Sequence, residues 1–188
     1  NYYSESTDES NTTSGTYQDK VVLSFTPEEN SKYVILASWL LKNGTAGSAS
    51  QAKLTRTTGT PKDFNEQIYE AQDASDYISG GCVGIDEFGT FPLEQTYKIQ
   101  FCRAGGSAYI KEARIIAIKL DDADKYAQSE SRETTTSLDW QDKISLIFTP
   151  ATQGDYLILV SAIGDEATPS VDFKLRFLLG GTAYNETN

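Results

Sequence analysis

Apolar and polar residues alternate with a period of two along most of this chain, and no stretch carries a convincing 3.6-residue apolar stripe. Val21, Leu23 and Phe25 point one way along a pleated strand, while Val22, Ser24 and Thr26 point the other. Pro27 ends that strand, because proline has no N–H to give to a ladder. The next run, Tyr33 to Leu41, is almost continuously apolar and reads as a central strand covered on both faces. Asn43-Gly44 marks the turn after it. Ser50 to Arg56 is a weaker strand, and Gly80-Gly81 and Gly89 punctuate the stretch that follows. Tyr97, Ile99 and Phe101 then alternate with Lys98, Gln100 and Cys102. Gly105-Gly106 turns the chain into a last strand from Tyr109 to Leu120. The pattern predicts about seven or eight strands in about 120 residues. It implies an all-β fold, an antiparallel two-sheet sandwich of jelly-roll type.

The same pattern occurs twice. Tyr17-Gln18-Asp19-Lys20-Val21-Val22-Leu23-Ser24-Phe25-Thr26-Pro27 matches Trp140-Gln141-Asp142-Lys143-Ile144-Ser145-Leu146-Ile147-Phe148-Thr149-Pro150 at an offset of 123 residues without a gap. The match reaches back to Thr12-Thr13-Ser14 against Thr135-Thr136-Ser137, and forward to Tyr33–Ser38 against Tyr156–Ser161. Beyond Ser38 the offset drifts: Ala52-Lys53-Leu54 faces Phe173-Lys174-Leu175, and Phe64-Asn65-Glu66 faces Tyr184-Asn185-Glu186. Val171, Phe173, Leu175, Phe177 and Leu179 alternate cleanly in the second copy. This organisation predicts tandem repeats of about 122 residues: a complete sandwich over 1–120 and a partial second copy over 121–188.

Composition narrows the function. The 188 residues include no histidine, which removes Ser-His-Asp and Cys-His nucleophiles, His-ligated zinc and the usual general base near neutral pH. A net charge of −11 argues against nucleic acid and anionic membrane surfaces as partners. No run of 18 apolar residues exists to span a bilayer as a helix. Cys82 and Cys102 define neither a disulfide framework nor a zinc site, and would pair only if their strands were adjacent. The first residues, Asn1-Tyr2-Tyr3-Ser4, are neither an initiator Met nor a signal peptide, so the sequence reads as processed or as a segment of something longer.

Tyr33-Val34-Ile35-Leu36-Ala37-Ser38 and Ala113-Arg114-Ile115-Ile116-Ala117-Ile118-Lys119-Leu120 resemble a repeat of uncharacterised structural proteins of environmental, especially marine, bacteriophages. They also look like modules of large microbial surface proteins. The resemblance implies a structural β-sandwich in a virion or at a cell surface, and transfers no catalytic or binding residue.

Several groups invite chemistry. Asp121, Asp122 and Asp124 cluster where the copies meet and could take calcium, although the run lacks Asp-x-Asp-x-Asp-Gly loop chemistry and reads first as a solvated linker. Asp19 and Asp142 recur just before a core strand, a position that suits a turn in which Asp bonds its own backbone. Asn11, Asn43 and Asn185 begin glycosylation triplets of a kind frequent in Thr-rich chains. Tyr17, Trp140 and Trp39 could stack on sugars if exposed, though alternation sets them in or beside the core. Asp86-Glu87 and Glu28-Glu29 are carboxylate pairs, but nothing in the sequence brings two carboxylates from different strands to a glycosidase separation.

The expectation is a protein that is not an enzyme: a structural module of a larger assembly with no cofactor, first a phage virion protein of capsid or tail. Its partners would be further copies of itself or other structural subunits. The alternatives are a carbohydrate-binding or adhesive module of a secreted or surface protein, and an extracellular filament subunit glycosylated at the three triplets. The second copy has no counterpart of Tyr97–Phe101 or Tyr109–Leu120. Its core side chains would then lie uncovered, each forgoing about 1.5–3 kcal/mol. Either the polypeptide continues or a neighbouring subunit supplies the missing strands.

Overall fold

The computed structural model describes residues 1–121, 124–129, 131, 133–137, 139–149, 156–162, 164 and 174–187. They fall into two compact units, one formed by 1–119 together with 158–188 and one by 120–157.

Nine strands build the sandwich: β1 (Tyr2–Ser6), β2 (Ser10–Thr12), β3 (Gln18–Phe25), β4 (Lys32–Asn43), β5 (Ala49–Arg56), β6 (Lys62–Glu70), β7 (Ile78–Glu87), β8 (Gln95–Arg103) and β9 (Ala108–Leu120). Sheet A has the order β1-β9-β4-β7, with β2 also on β9, and sheet B has the order β3-β8-β5-β6. β1 and β2 pair with the same strand, so they act as one interrupted strand. Counted that way, the first of eight strands pairs with the last, the second with the seventh, the third with the sixth and the fourth with the fifth. The chain is thus one long hairpin, bent between β5 and β6 and rolled into two sheets, which is the jelly-roll topology.

Alternation places the core as expected. Val21, Leu23 and Phe25, with Tyr97, Ile99 and Phe101 on the neighbouring strand of sheet B, meet Tyr33, Ile35, Ala37, Trp39 and Leu41 from sheet A. Phe25 and Tyr33 touch across the sheets, their ring centroids 5.2 Å apart. β9 changes parity part-way: Ile110 faces in, then Ala113, Ile115 and Ala117 do. The shift sits at Glu112, whose φ of 53° marks an inserted residue.

Three sequence expectations change. Gly80 and Gly81 do not interrupt a strand; with Gly84 they lie inside β7. A Cβ on Gly80 would fall 2.2 Å from Trp39 Nε1, and one on Gly84 2.2 Å from Phe64 Cδ1, so these glycines make room for large neighbours. β4 is central, with one face wholly in the core; on the other face Val34 is buried, Leu36 and Leu40 are half-buried and Ser38 is exposed. Asp19 occupies no turn. It lies in β3 and accepts hydrogen bonds from Lys98 Nζ and Gln100 Nε2 on the neighbouring strand, each 2.6 Å. β1, β2, β6 and β7 were not anticipated as strands, because their polar residues and glycines blur the alternation.

Past residue 121 the described residues form one strand pair, β10 (Leu175–Leu179) with β11 (Thr182–Thr187). The described parts of Trp140–Pro150 and Tyr156–Ser161 carry strand-like sequence but join no ladder. A strand is defined by its hydrogen-bonded neighbour, and alternation alone does not supply one.

Candidate interaction surface

The two sheets present unlike outer faces. On sheet B the outward side chains bond to one another across strands: Lys98 to Asp19 at 2.6 Å, Lys53 to Asp63 at 2.9 Å and Ser24 to Thr96 at 2.9 Å. Burial raises the Asp19 carboxyl, but hydrogen bonds from Lys98 and Gln100 and the Lys98 charge outweigh it and hold Asp19 below the usual range. Asp63 is lowered in the same way by Thr55 and Lys53. The same face also exposes Val22 and Ile68, so it is mostly but not wholly polar.

Sheet A differs. Its outward apolar residues are Ile85 and Val83 on β7, Val34 and Leu36 on β4, Ile116 and Ile118 on β9, and Tyr3 on β1; Tyr3 is exposed, Val34 is buried and the others are half-buried, with Ser38 exposed on the same face. The registers set Ile85 opposite Val34, Val83 opposite Leu36 and Tyr3 opposite Ile116, and β9 lies beside β4, so all four strands carry apolar side chains on this face. An ion pair closes each end: Lys32 with Glu87 at 3.1 Å, and Arg114 with Glu5 at 3.2 Å. An apolar centre with a charged rim is the anatomy of a protein contact surface.

Beside the band lies a tyrosine–lysine cluster. Lys42 Nζ is 4.7 Å from the ring centres of both Tyr77 and Tyr109, and Lys111 Nζ is 4.3 Å from that of Tyr77. The Tyr77 hydroxyl donates to Glu9. These contacts fasten the loop before β7 to the neighbouring strands, and the ring faces are occupied by the protein's own cations.

The residues singled out by sequence are dispersed. Asp86 is buried inside the sandwich, accepting from Arg56 Nη1 and Tyr97 Oη at 2.7 Å each. Burial and this carboxylate push the Tyr97 hydroxyl up. Glu87 points to the opposite face, so the two neighbours share no site. Glu28 pairs with Lys119 at 2.6 Å, and Glu29 is exposed. Trp39 is buried and donates from Nε1 to Gln67 Oε1 at 3.0 Å; Tyr17 bonds Glu66 at 2.6 Å beneath Lys53. Trp140 is partly exposed, and Asp142 is exposed.

Asp124 Oδ2 accepts from the Asp121 N–H at 2.7 Å, and Asp124 N–H donates back to the Asp121 carbonyl at 3.0 Å, a closed turn. Asp122 lies outside the described residues. Among the described residues, no three His, Cys, Asp or Glu side chains are grouped to hold a metal ion. Asn11 is exposed on β2. Asn43 is fully buried, its Nδ2 committed to Ser50 Oγ at 3.1 Å and to the Gly105 carbonyl at 2.8 Å. Asn185 pairs with Phe177 in β11, and its side chain is outside the described set. Cys82 and Cys102 are free, buried thiols on strands of different sheets.

Sequence reasoning missed both the apolar band and the Arg56–Asp86–Tyr97 cluster. The cluster joins three strands distant in sequence and has no local signal. The band had one: Val34, Leu36, Ile116 and Ile118 make two runs apolar on both faces, more than a one-sided sheet requires.

No protein-family model matches the chain. No curated protein matches it either. Among solved structures it is similar to the Eiger TNF from S. frugiperda, at 9% identity over 68% of this chain and 96% of that one, with a TM-score of 0.42. The fold assignment therefore stands on the strand order itself: an all-β, antiparallel two-sheet sandwich.

Proposed function

We propose that this chain is a non-catalytic structural module of a larger assembly, a phage virion protein in first place, and that it associates with further copies of itself through the outer face of sheet A. The apolar band between the two ion pairs is the observation that carries this reading. Water-facing sheets alternate apolar and polar residues, as sheet B does apart from the exposed Val22 and Ile68, whereas β4 and β9 of sheet A carry apolar residues on both faces. The segments that resemble phage structural repeats, Tyr33–Ser38 and Ala113–Leu120, are the ones that furnish Val34, Leu36, Ile116 and Ile118. The lack of histidine and the internal engagement of Asp86 add support, since they leave little for acid–base chemistry.

Sedimentation of the purified chain is the test. The native protein forms a defined oligomer, and Leu36→Lys with Ile116→Lys converts it to monomer, while Val22→Lys on sheet B changes nothing. A native chain that stays monomeric at all concentrations defeats the reading. Glycan binding in that monomer would favour the adhesive alternative.

A further inference from the structure

One end of the sandwich displays two large apolar side chains that the described residues leave uncovered. In the loop from β7 to β8, Phe91 is 84% exposed and Leu93 80%, on either side of Pro92. The loop is tied down at both ends. The Asn30 N–H donates to the Gly89 carbonyl at 3.0 Å and the Phe88 N–H to the Ser31 carbonyl at 2.8 Å, while the Phe88 ring lies 6.0 Å from that of Tyr33. On the far side the buried Gln95 donates from Nε2 to the Leu93 carbonyl at 2.9 Å and accepts from Thr58 Oγ1 at 3.3 Å. Phe91 itself has a φ of 56°, in the left-handed region that a bulky residue rarely enters, and the proline after it favours extended backbone there. A strained position is kept where its side chain has a task, and this ring performs none inside the sandwich.

The outer face of sheet A carries a complementary hollow. The register sets Ser38 opposite Gly81 and Leu40 opposite Ser79, so small residues interrupt the apolar side chains beyond Leu36 and Val83. The hollow measures about 220 Å³ and is lined by Ser38, Leu40, Ser79 and Gly80, with Glu112 and Arg114 on its β9 side. A site for a drug-sized molecule takes about 300–1,000 Å³, so this one suits one or two side chains. The sheet does not fill it from Gly81, where a Cβ would fall 2.4 Å from the Ala37 carbonyl oxygen.

We propose that the Phe91-Pro92-Leu93 tip of one copy seats in the sheet A hollow of the next, so that copies join head to tail. The seating rests on self-association through sheet A and names what occupies that face. A tip does not reach the hollow of its own chain. Asn30 and Gly89 mark the end of the sandwich, and Ser38 is half-way along β4, about 20 Å from its start at Lys32 at about 3.3 Å per residue. Two tips suit each other poorly, since Glu29 and Glu94 are exposed beside them and would meet their own kind. An aromatic anchor in a pocket is the usual centre of an interface, and a preformed loop loses little freedom on docking. Tip and hollow are different patches, so the contact is heterologous and continues from copy to copy into a ring or a filament.

Cysteine cross-linking of the full chain is the test. Thr90→Cys sets a thiol beside the tip and Ser38→Cys sets one in the hollow; both positions are exposed, whereas Cys82 and Cys102 are buried. A mixture of the two single variants forms disulfide-linked dimers under mild oxidation, neither variant does so alone, and a chain carrying both forms a ladder of oligomers. Phe91→Ser with Leu93→Ser weakens association by on the order of tenfold or more in sedimentation, and Ser38→Trp, which fills the hollow, does the same. Self-cross-linking of the Ser38→Cys chain without mixed dimers overturns the head-to-tail seating and spares self-association through sheet A. So does an oligomer that forms undiminished in the double serine variant. A native chain that is monomeric at every concentration defeats both.

Discussion

Arg56 Nη1 on β5 lies 2.7 Å from Asp86 Oδ2 on β7, an ion pair that joins sheet B to sheet A inside the sandwich. The arginine also donates from Nη2 to the Thr60 carbonyl at 2.9 Å, while its Nε is buried without a partner. Removing one member leaves the other charge buried and unmatched. Asp86→Ala, which also strips Tyr97 of its acceptor, is expected to cost about 3–5 kcal/mol in urea unfolding. The double change Arg56→Met with Asp86→Leu costs less than either single alanine variant, because no uncompensated charge remains.

The glycines of β7 separate packing from backbone freedom. At Gly84 a Cβ meets the Phe64 ring at 2.2 Å, and Gly84→Ala is expected to destabilise by about 1–3 kcal/mol through overpacking. Gly89 lies nearby in sequence, meets nothing within 4 Å and has no positive φ, so Gly89→Ala stays within about 0.5 kcal/mol of the parent. Thermal melts of the two variants side by side distinguish a filled space from a general intolerance of this region.

Most of the inner core was legible in the sequence, because a period of two survives wherever one face is buried: Val21, Leu23 and Phe25, then Tyr97, Ile99 and Phe101, all face in. Legibility failed where two distant strands decide the outcome. Gly80 and Gly84 read as breaks because the bulk they make room for, Trp39 and Phe64, lies on other strands. Glu112 gives no sign that it shifts the parity of β9. Asp19 looked like a turn residue because its partners, Lys98 and Gln100, come from β8. The apolar band was hidden for another reason: Leu36 and Ile116 are unexceptional until both faces of their strands are assigned.

The thiols offer a direct measurement of core integrity. Burial pushes the Cys82 thiol up to about 12 from an ordinary 9.0, and raises that of Cys102 as well. Cys102 Sγ also donates to Gln51 Oε1 at 3.2 Å. Native protein is therefore expected to be nearly silent to a thiol-reactive disulfide reagent at neutral pH, since the thiolate is the nucleophile. Both thiols titrate once the chain is unfolded in guanidinium. Prompt reaction of one thiol in the native state would show that its strand opens locally.

Stability is expected to fall at both extremes of pH, for reasons of opposite sign. Asp19 and Asp63 are held below the ordinary carboxyl value of 3.8, so below that value the folded state binds fewer protons than the unfolded one. Their contribution is complete above the unfolded value and is lost as pH falls through the folded one. At the other end, the Cys82 thiol ionises near 9 when unfolded but about 12 when folded, so the unfolded state loses its proton first and stability declines as pH rises past about 9. With no histidine in the chain, no side chain of that type titrates between, and the free energy of unfolding should be level from about pH 6 to 8. Urea titrations across the range check this. Asp19→Asn with Asp63→Asn makes the acid limb shallower and leaves the alkaline limb; Cys82→Ala delays the alkaline limb without removing it, because Cys102 and the Tyr17, Tyr77 and Tyr97 hydroxyls are raised as well. An acid limb unchanged in the double asparagine variant would place the sensitive carboxylates elsewhere than on the outer face of sheet B.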